Sequence, residues 1–261
     1  MSMLSPLGTI RRTLSLPRMS TFEAAAGVTA SDDPRALALY AWNARVSSAL
    51  LAPLHICEVV IRNAASEAIE QVYGPRWPWQ IGFEQSLPSP RTGYNPQRDL
   101  QNARSRVNTT GKVIPELKFV FWQRLFTSRH DQRLWNPYLR LVLPNLGAVK
   151  TVAQLREGVY DDLEQIRALR NRIAHNEPVF ARDLRDDLRR IVALIEYRAK
   201  ETANWMIANQ QATAVMAEPR TGPSASRIAV EAYFLWRGRR SGFGSAEGDW
   251  LSAEARLLGL A

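Results

Sequence analysis

Arg170 and His175 are two residues whose types and spacing could support the cleavage of RNA. They lie five positions apart in the segment DDLEQIRALRNRIAHNEPVF. In RNA, the 2′-hydroxyl group can attack the adjacent phosphate if a base removes its proton and a cation stabilises the phosphorane. A histidine with a pKa near neutrality can transfer protons, and a planar guanidinium can bind two phosphate oxygens. Because the 2′-hydroxyl is the nucleophile, this chemistry needs no metal-activated water.

Helical spacing predicts that Arg170 lies on the apolar face of its helix. The apolar residues that share one stripe are Leu155, Val159, Leu163, Ile166 and Ile173. Arg170 falls inside this stripe, since it follows Ile166 by four residues and precedes Ile173 by three. A guanidinium on an apolar face is costly unless it is paired or lines a polar cleft. We therefore expect a homodimer, in which the second copy covers Arg170 and brings a second copy of the pair.

His175 is expected at the end of the same helix. On an ideal helix it would point about 140° away from Arg170. Pro178 disfavours the α region for Glu177, so the helix should end between Ala174 and Asn176. Loosening of this end would allow the imidazole to turn back toward Arg170. The negative end of the helix dipole also favours the imidazolium form.

Glu58 and Arg62 form a second candidate pair, four residues apart on an earlier predicted helix. Their order is the favourable one for an ion pair on a helix surface. One interpretation is a structural ion pair within a helical bundle. The other is a supporting network that holds Arg170 or His175 in place.

Composition narrows the choice of chemistry and partner. The 34 Lys and Arg residues outnumber the 25 Asp and Glu residues, and the net charge of +9 favours a polyanion such as RNA. With one cysteine, Cys57, and three scattered histidines, the sequence predicts no disulfide framework, no metal site and no cofactor. No stretch approaches the roughly 18 apolar residues of a membrane-spanning helix. We therefore expect a cytoplasmic protein without a membrane partner.

Apolar periodicity predicts an all-α protein. Residues 1–33 form an N-terminal arm, 34–206 a helical domain, 207–225 a linker and 226–261 a helical hairpin that must dock, dimerise or remain marginally stable. Asp33 should cap a helix that Pro53 breaks or kinks before Gly74 ends it.

Four further stretches of the helical domain have predicted structure. Residues 75–98 should form a loop with short turns, Pro115 should start a helix over 115–130, and helices should cover 151–175 and 181–206.

The string LRNRIAHNEP around Arg170 and His175 resembles the signature of the Abi-like (abortive infection) branch of the HEPN superfamily. In that signature a polar residue, here Asn171, follows the arginine. Asn176 departs from the family, many members of which carry a second histidine there, and so removes an auxiliary donor. The string EVVIRN also resembles a family motif, which adds Asn63 to Glu58 and Arg62 as supporting residues. The resemblance covers roughly residues 14–205, chiefly through the segments 14–22, 36–69, 111–126 and 134–146.

This resemblance implies a HEPN-type helical bundle that dimerises and joins two Arg–His motifs across a two-fold axis. It implies an endoribonuclease that leaves a 2′,3′-cyclic phosphate and acts as a toxin or in antiphage defence, with a possible RNA or protein antitoxin. The C-terminal hairpin resembles a short bacterial helical family without a known function. The alternative is a non-catalytic helical module that binds RNA or a partner protein, with Arg170 and His175 as structural residues.

Overall fold

In a computed structural model, residues 6–29, 33–222, 225–239 and 244–257 are described. Every regular element within these ranges is helical, which confirms the all-α class. The fourteen α-helices of these ranges are α1 (Pro6–Thr13), α2 (Leu16–Ala26), α3 (Arg35–Tyr73), α4 (Ile81–Ser86), α5 (Pro96–Ser105), α6 (Thr110–Glu116), α7 (Phe119–Leu125), α8 (Asn136–Val142), α9 (Val152–Ala174), α10 (Leu184–Arg198), α11 (Lys200–Asn209), α12 (Ala212–Ala217), α13 (Ala225–Gly238) and α14 (Ala246–Leu257). A π-helical turn, Asp131–Trp135, precedes α8.

The chain divides into two compact units, residues 1–49 with 211–261 and residues 50–210. These units are not coextensive with the predicted arm, helical domain, linker and hairpin. In the first unit, the indole of Trp42 donates to the carbonyl of Val215 at 3.0 Å, and Arg45 pairs with Glu218 at 2.9 Å. Val215 and Glu218 belong to the segment predicted as a linker, which contains α12 and packs on the start of α3.

Both ends of the chain are helical where they are described. The predicted arm forms α1 and α2 and buries Met19 and Phe22, the ring of which lies 4.8 Å from that of Tyr40. The hairpin helices are present as α13 and α14, joined by an ion pair between Arg256 and Glu231 at 3.4 Å. Most of the glycine-rich loop between them, residues 240–243, lies outside the described residues.

Helix α3 runs through Pro53 as one helix, so of the predicted break or kink the break is not present. The buried residues of this helix continue at helical spacing on both sides of the proline: Val46, Leu50, Leu54, Cys57 and Ile61. Burial of this face outweighs the one backbone hydrogen bond that proline removes. The predicted ends are confirmed. The Asp33 carboxylate accepts from the backbone N–H of Arg35 at 2.9 Å, and Gly74 adopts a left-handed φ of 77°.

By length and composition alone, α3 could also cross a membrane, contrary to the expectation that no stretch approaches this composition. Only 33% of the most apolar 18-residue stretch of α3 is buried inside the structure. Core helices of soluble proteins pass the same test, so cytoplasmic localisation stays a prediction.

The second unit is built around buried aromatic rings. Trp77 meets Phe83 and Trp122 edge-on, with ring centroids 5.1 and 6.2 Å apart. Phe126 stacks on Trp135 at 4.2 Å. Trp122 is therefore a core residue and is not exposed for base stacking.

Three predicted elements of this unit need correction. Pro115 does not start a helix, because it lies in the last turn of α6, and the extended residues Leu117 and Lys118 separate α6 from α7. The predicted helix 181–206 is divided into α10 and α11 at Ala199, which is extended (φ −156°, ψ 120°). The predicted loop with short turns, residues 75–98, contains a 3₁₀ turn as expected, but also the helix α4, which was not predicted. The periodicity of apolar residues does not report backbone geometry, such as the extended conformations of Leu117, Lys118 and Ala199.

Helix α9 carries the candidate residues and starts and ends with well-formed caps. Thr151 and Gln154 form a reciprocal capping box. The helix ends at Ala174, as predicted from Pro178. Its buried residues are Leu155, Val159, Leu163, Ile166, Leu169 and Ile173. Leu169 extends the apolar stripe. Arg170 keeps the predicted helical position between Ile166 and Ile173, but its side chain is exposed.

Candidate active site

Arg170 lies in a cleft of about 490 Å³ within the second unit. The four cations that line it come from three parts of the chain, namely Arg62 of α3, Lys118 between α6 and α7, and Arg167 and Arg170 of α9. Glu116 contributes the one lining carboxylate, so positive charge dominates the cleft. Asn171 lines it beside Arg170, which places two of the predicted site residues together with a third, Arg62.

Arg62 is held by Glu58, and the predicted ion pair between them is present. The Arg62 side chain is 17% exposed, and its Nε atom is buried with no hydrogen-bond partner in the described part of the chain. Burial lowers the pKa of Arg62, Glu58 opposes this shift, and the positive charge of Arg170 adds to it. The two arginines therefore repel each other across the cleft.

Arg167 is held in a comparable way by Glu164, three residues earlier on α9. Its Nη2 and Nε atoms donate to the two carboxylate oxygens at 2.5 and 3.3 Å. The amide of Gln123, which is 1% exposed on α7, donates to the same carboxylate. These donors, Arg167 first, lower the pKa of Glu164, so the carboxylate stays ionised and fixes the arginine.

Arg170 and Lys118 differ from Arg62 and Arg167, each of which is ion-paired with a glutamate. Both are exposed, and within the described ranges no hydrogen bond or ion pair engages the guanidinium of Arg170 or the ammonium of Lys118. Their charges remain available to a ligand.

His175 does not line this cleft, although it caps the same helix. It is exposed, and its backbone N–H donates to the carbonyl of Asn171 at 2.9 Å. Asn176 follows with a left-handed φ of 55°, and the N–H groups of Asn176 and Glu177 donate to Ile173 and Arg172. This is a Schellman motif. The expected loosening of the helix end is therefore not observed, and within one copy the structure does not bring the imidazole into the cleft with Arg170.

Of the other residues singled out in the sequence, Asn63 lies on the surface and Cys57 in the core. Asn63 is exposed on α3 and does not line the cleft. Cys57 is fully buried, and burial raises the pKa of its thiol, so it is a core residue as expected. Among the described residues, no cluster of His, Cys, Asp or Glu side chains could hold a metal ion.

Sequence reasoning missed two lining cations, Lys118 and Arg167. Arg167 could have been found, because it precedes Arg170 by three residues and so lies on the same helix face. No spacing rule points to Lys118, since an extended turn distant in sequence places it here.

No known protein family, curated protein or solved structure was found to match this chain.

Proposed function

We propose that the chain is a metal-independent endoribonuclease, with Arg170 as the phosphate-binding catalytic residue and His175 as the proton-transfer residue. The observation that carries this proposal is the exposed guanidinium of Arg170, which has no pairing partner among the described residues and lies in a cleft with three further cations. An RNA phosphate would satisfy this guanidinium through two charge-assisted hydrogen bonds.

The proposed reaction uses the RNA's own nucleophile. The imidazole of His175 takes the proton of the 2′-hydroxyl, and the 2′-oxygen bonds to phosphorus. The bond from phosphorus to the 5′-oxygen then breaks, and the imidazolium returns the proton to that oxygen. The products are a 2′,3′-cyclic phosphate and a 5′-hydroxyl group, while Arg170 stabilises the phosphorane between them.

The active assembly proposed here is a homodimer with composite sites. Because His175 does not line the cleft of its own copy, each site would combine Arg170 of one copy with His175 of the other. The resemblance to Abi-like HEPN proteins supports this arrangement and adds the proposed bundle and the role as a toxin or antiphage effector. The proposed location is the cytoplasm. An RNA or protein antitoxin would then be a further partner.

The second candidate function is a non-catalytic module that binds RNA or a partner protein. The observation that favours it is the position of His175, which is exposed at a rigid helix end and outside the cleft. On this reading the cleft binds phosphate but no proton is transferred.

Incubation of the purified chain with a mixed RNA pool, with and without EDTA, tests the first proposal. We expect fragments that end in a 2′,3′-cyclic phosphate, formed equally fast in both samples, because the 2′-hydroxyl needs no metal-bound water. An intact RNA pool that is nevertheless bound would favour the second candidate.

A further inference from the structure

The cleft combines two fixed cations with two available ones. Glu58 and Glu164 hold Arg62 and Arg167, and Gln123 buttresses Glu164 from α7. Fixed guanidinium groups lose little side-chain entropy when a ligand binds, so they give both affinity and geometry. This degree of support exceeds what an exposed surface arginine requires for solubility.

The charge of the cleft calls for an anion. Arg62 and Arg170 repel each other, and Lys118 adds a further exposed charge. Arg167 and Arg170 are neighbours on one helix face, where side chains three residues apart have Cβ atoms about 5–6 Å from each other. One ligand can therefore contact both, and phosphate oxygens suit guanidinium groups best.

An inorganic phosphate ion would contact the cations of the cleft but not its uncharged lining residues. The uncharged lining residues that are at least partly exposed are Tyr94, Pro115 and Val120, whereas Leu117 and Phe119 are only 1% and 6% exposed. The carboxylate of Glu116 and the amide of Asn171 complete the lining. Apolar surface suits a sugar or a base, and a carboxylate accepts from the amino group of a base. The volume of about 490 Å³ lies within the range of about 300–1,000 Å³ for small-ligand sites.

We infer that the cleft is a subsite for one unpaired nucleotide of single-stranded RNA, adjacent to the phosphate that is cut. Its phosphate lies on Arg62 and Arg167. Its base lies against Tyr94, Pro115 and Val120, within reach of the Glu116 carboxylate. The position beside the cut rests on the proposed function, whereas nucleotide binding does not. A nucleotide enters such a cleft only when it is unstacked, as in loops and single strands, so the cleft selects single-stranded RNA over duplex.

The test uses a single-stranded RNA hexamer with 2′-O-methyl groups, which can bind but cannot be cut, and the same hexamer as a duplex. Arg167→Gln is expected to weaken binding of the single strand by about tenfold to a hundredfold, because a charged hydrogen bond is lost. The matched control is Arg189→Gln, since Arg189 pairs with Asp186 at the same helical spacing but lies on α10 outside the cleft. Lys118→Gln should weaken binding, and Lys112→Gln should not.

Three results would overturn the inference. The first is equal binding by Arg167→Gln, Lys118→Gln and the native protein. The second is equal affinity for the duplex. The third is inorganic phosphate competing for the site as well as adenosine monophosphate does. Since the hexamer cannot be cut, binding with these dependences but without cleavage of natural RNA refutes the proposed function and leaves the subsite intact.

Discussion

At the scale of single residues, pairing separates the arginines of the cleft into two kinds. Arg62 and Arg167 each share their charge with a carboxylate on their own helix. Arg170 has no such partner within the described part of the chain. A phosphorane carries more negative charge than the ground-state phosphate, so an unshared guanidinium stabilises it more. Arg170 is therefore the residue on which catalysis should depend most.

Replacement of Arg170 should reduce cleavage and RNA binding together. Arg170→Gln removes a charge-assisted contact to phosphate, and Arg170→Lys should restore little, since an ammonium cannot reproduce the bidentate fork. The free energy of unfolding of both variants should lie within about 0.5 kcal/mol of that of the native protein, because the Arg170 side chain is exposed. Arg185→Gln, which alters an exposed arginine of α10 outside the cleft, is the control. Unchanged cleavage by Arg170→Gln would refute the role.

His130 should make stability depend on pH. It is 4% exposed, and burial lowers its pKa to about 4, assisted by Arg129 and Arg133 and opposed by Asp131. As pH falls from 6.5 toward 4, the unfolded chain binds a proton that the folded chain does not. The stability that neutral His130 contributes is therefore fully present above pH 6.5. It is lost as the pH falls toward 4, by up to about 3 kcal/mol.

Urea unfolding of the native protein and of His130→Gln, at neutral pH and at about pH 5, measures this effect. The native protein should lose more stability than the variant between the two conditions. Equal losses would show that His130 does not titrate differently on folding.

At the scale of elements, the end of α9 sets the position of His175. Asn176 adopts φ 55°, which asparagine and glycine tolerate and β-branched residues do not. Asn176→Val should therefore cost about 1–2 kcal/mol and slow cleavage by displacing His175. Asn176→Gly should stay close to the native protein in thermal unfolding. If the two variants have the same melting temperature, the Schellman geometry does not determine the conformation of this helix end.

Local chemistry in the sequence was enough to predict several elements. Pro178 predicted the end of α9, and Asp33 and Gly74 predicted both ends of α3. Prediction failed where tertiary burial decides the outcome. The buried face of α3 carries this helix through Pro53, where local chemistry favours a break or a kink.

The candidate site was predictable only where it lies on regular helices. Arg62, Arg170 and Asn171 were predicted and meet in one cleft. Lys118 reaches that cleft through an extended turn, which no periodic pattern encodes. Helical spacing placed Arg170 among the apolar residues of α9, but it does not show which residues of that side are covered, and in the structure Leu169 is buried and Arg170 is exposed.

At the scale of the whole molecule, the net charge of +9 favours RNA as the partner. The composite-site proposal also predicts complementation between inactive variants. A mixture of Arg170→Gln and His175→Ala should regain about a quarter of native activity. Half of the dimers are then mixed, and one of the two sites in each has both residues intact. Cleavage assays before and after mixing measure this, with light scattering to confirm dimers. A mixture as inactive as its components would contradict a site shared between copies.

The most direct test of the account replaces His175 and, as a matched control, His55, a second exposed histidine of the same unit that does not line the cleft. His175→Ala should slow RNA cleavage by about 10²–10⁴-fold, the usual effect of losing a general acid–base group. RNA binding and the far-UV circular dichroism of this variant should match those of the native protein. His55→Ala should cleave at the native rate. Cleavage by His175→Ala as fast as by the native protein would contradict the proposed mechanism.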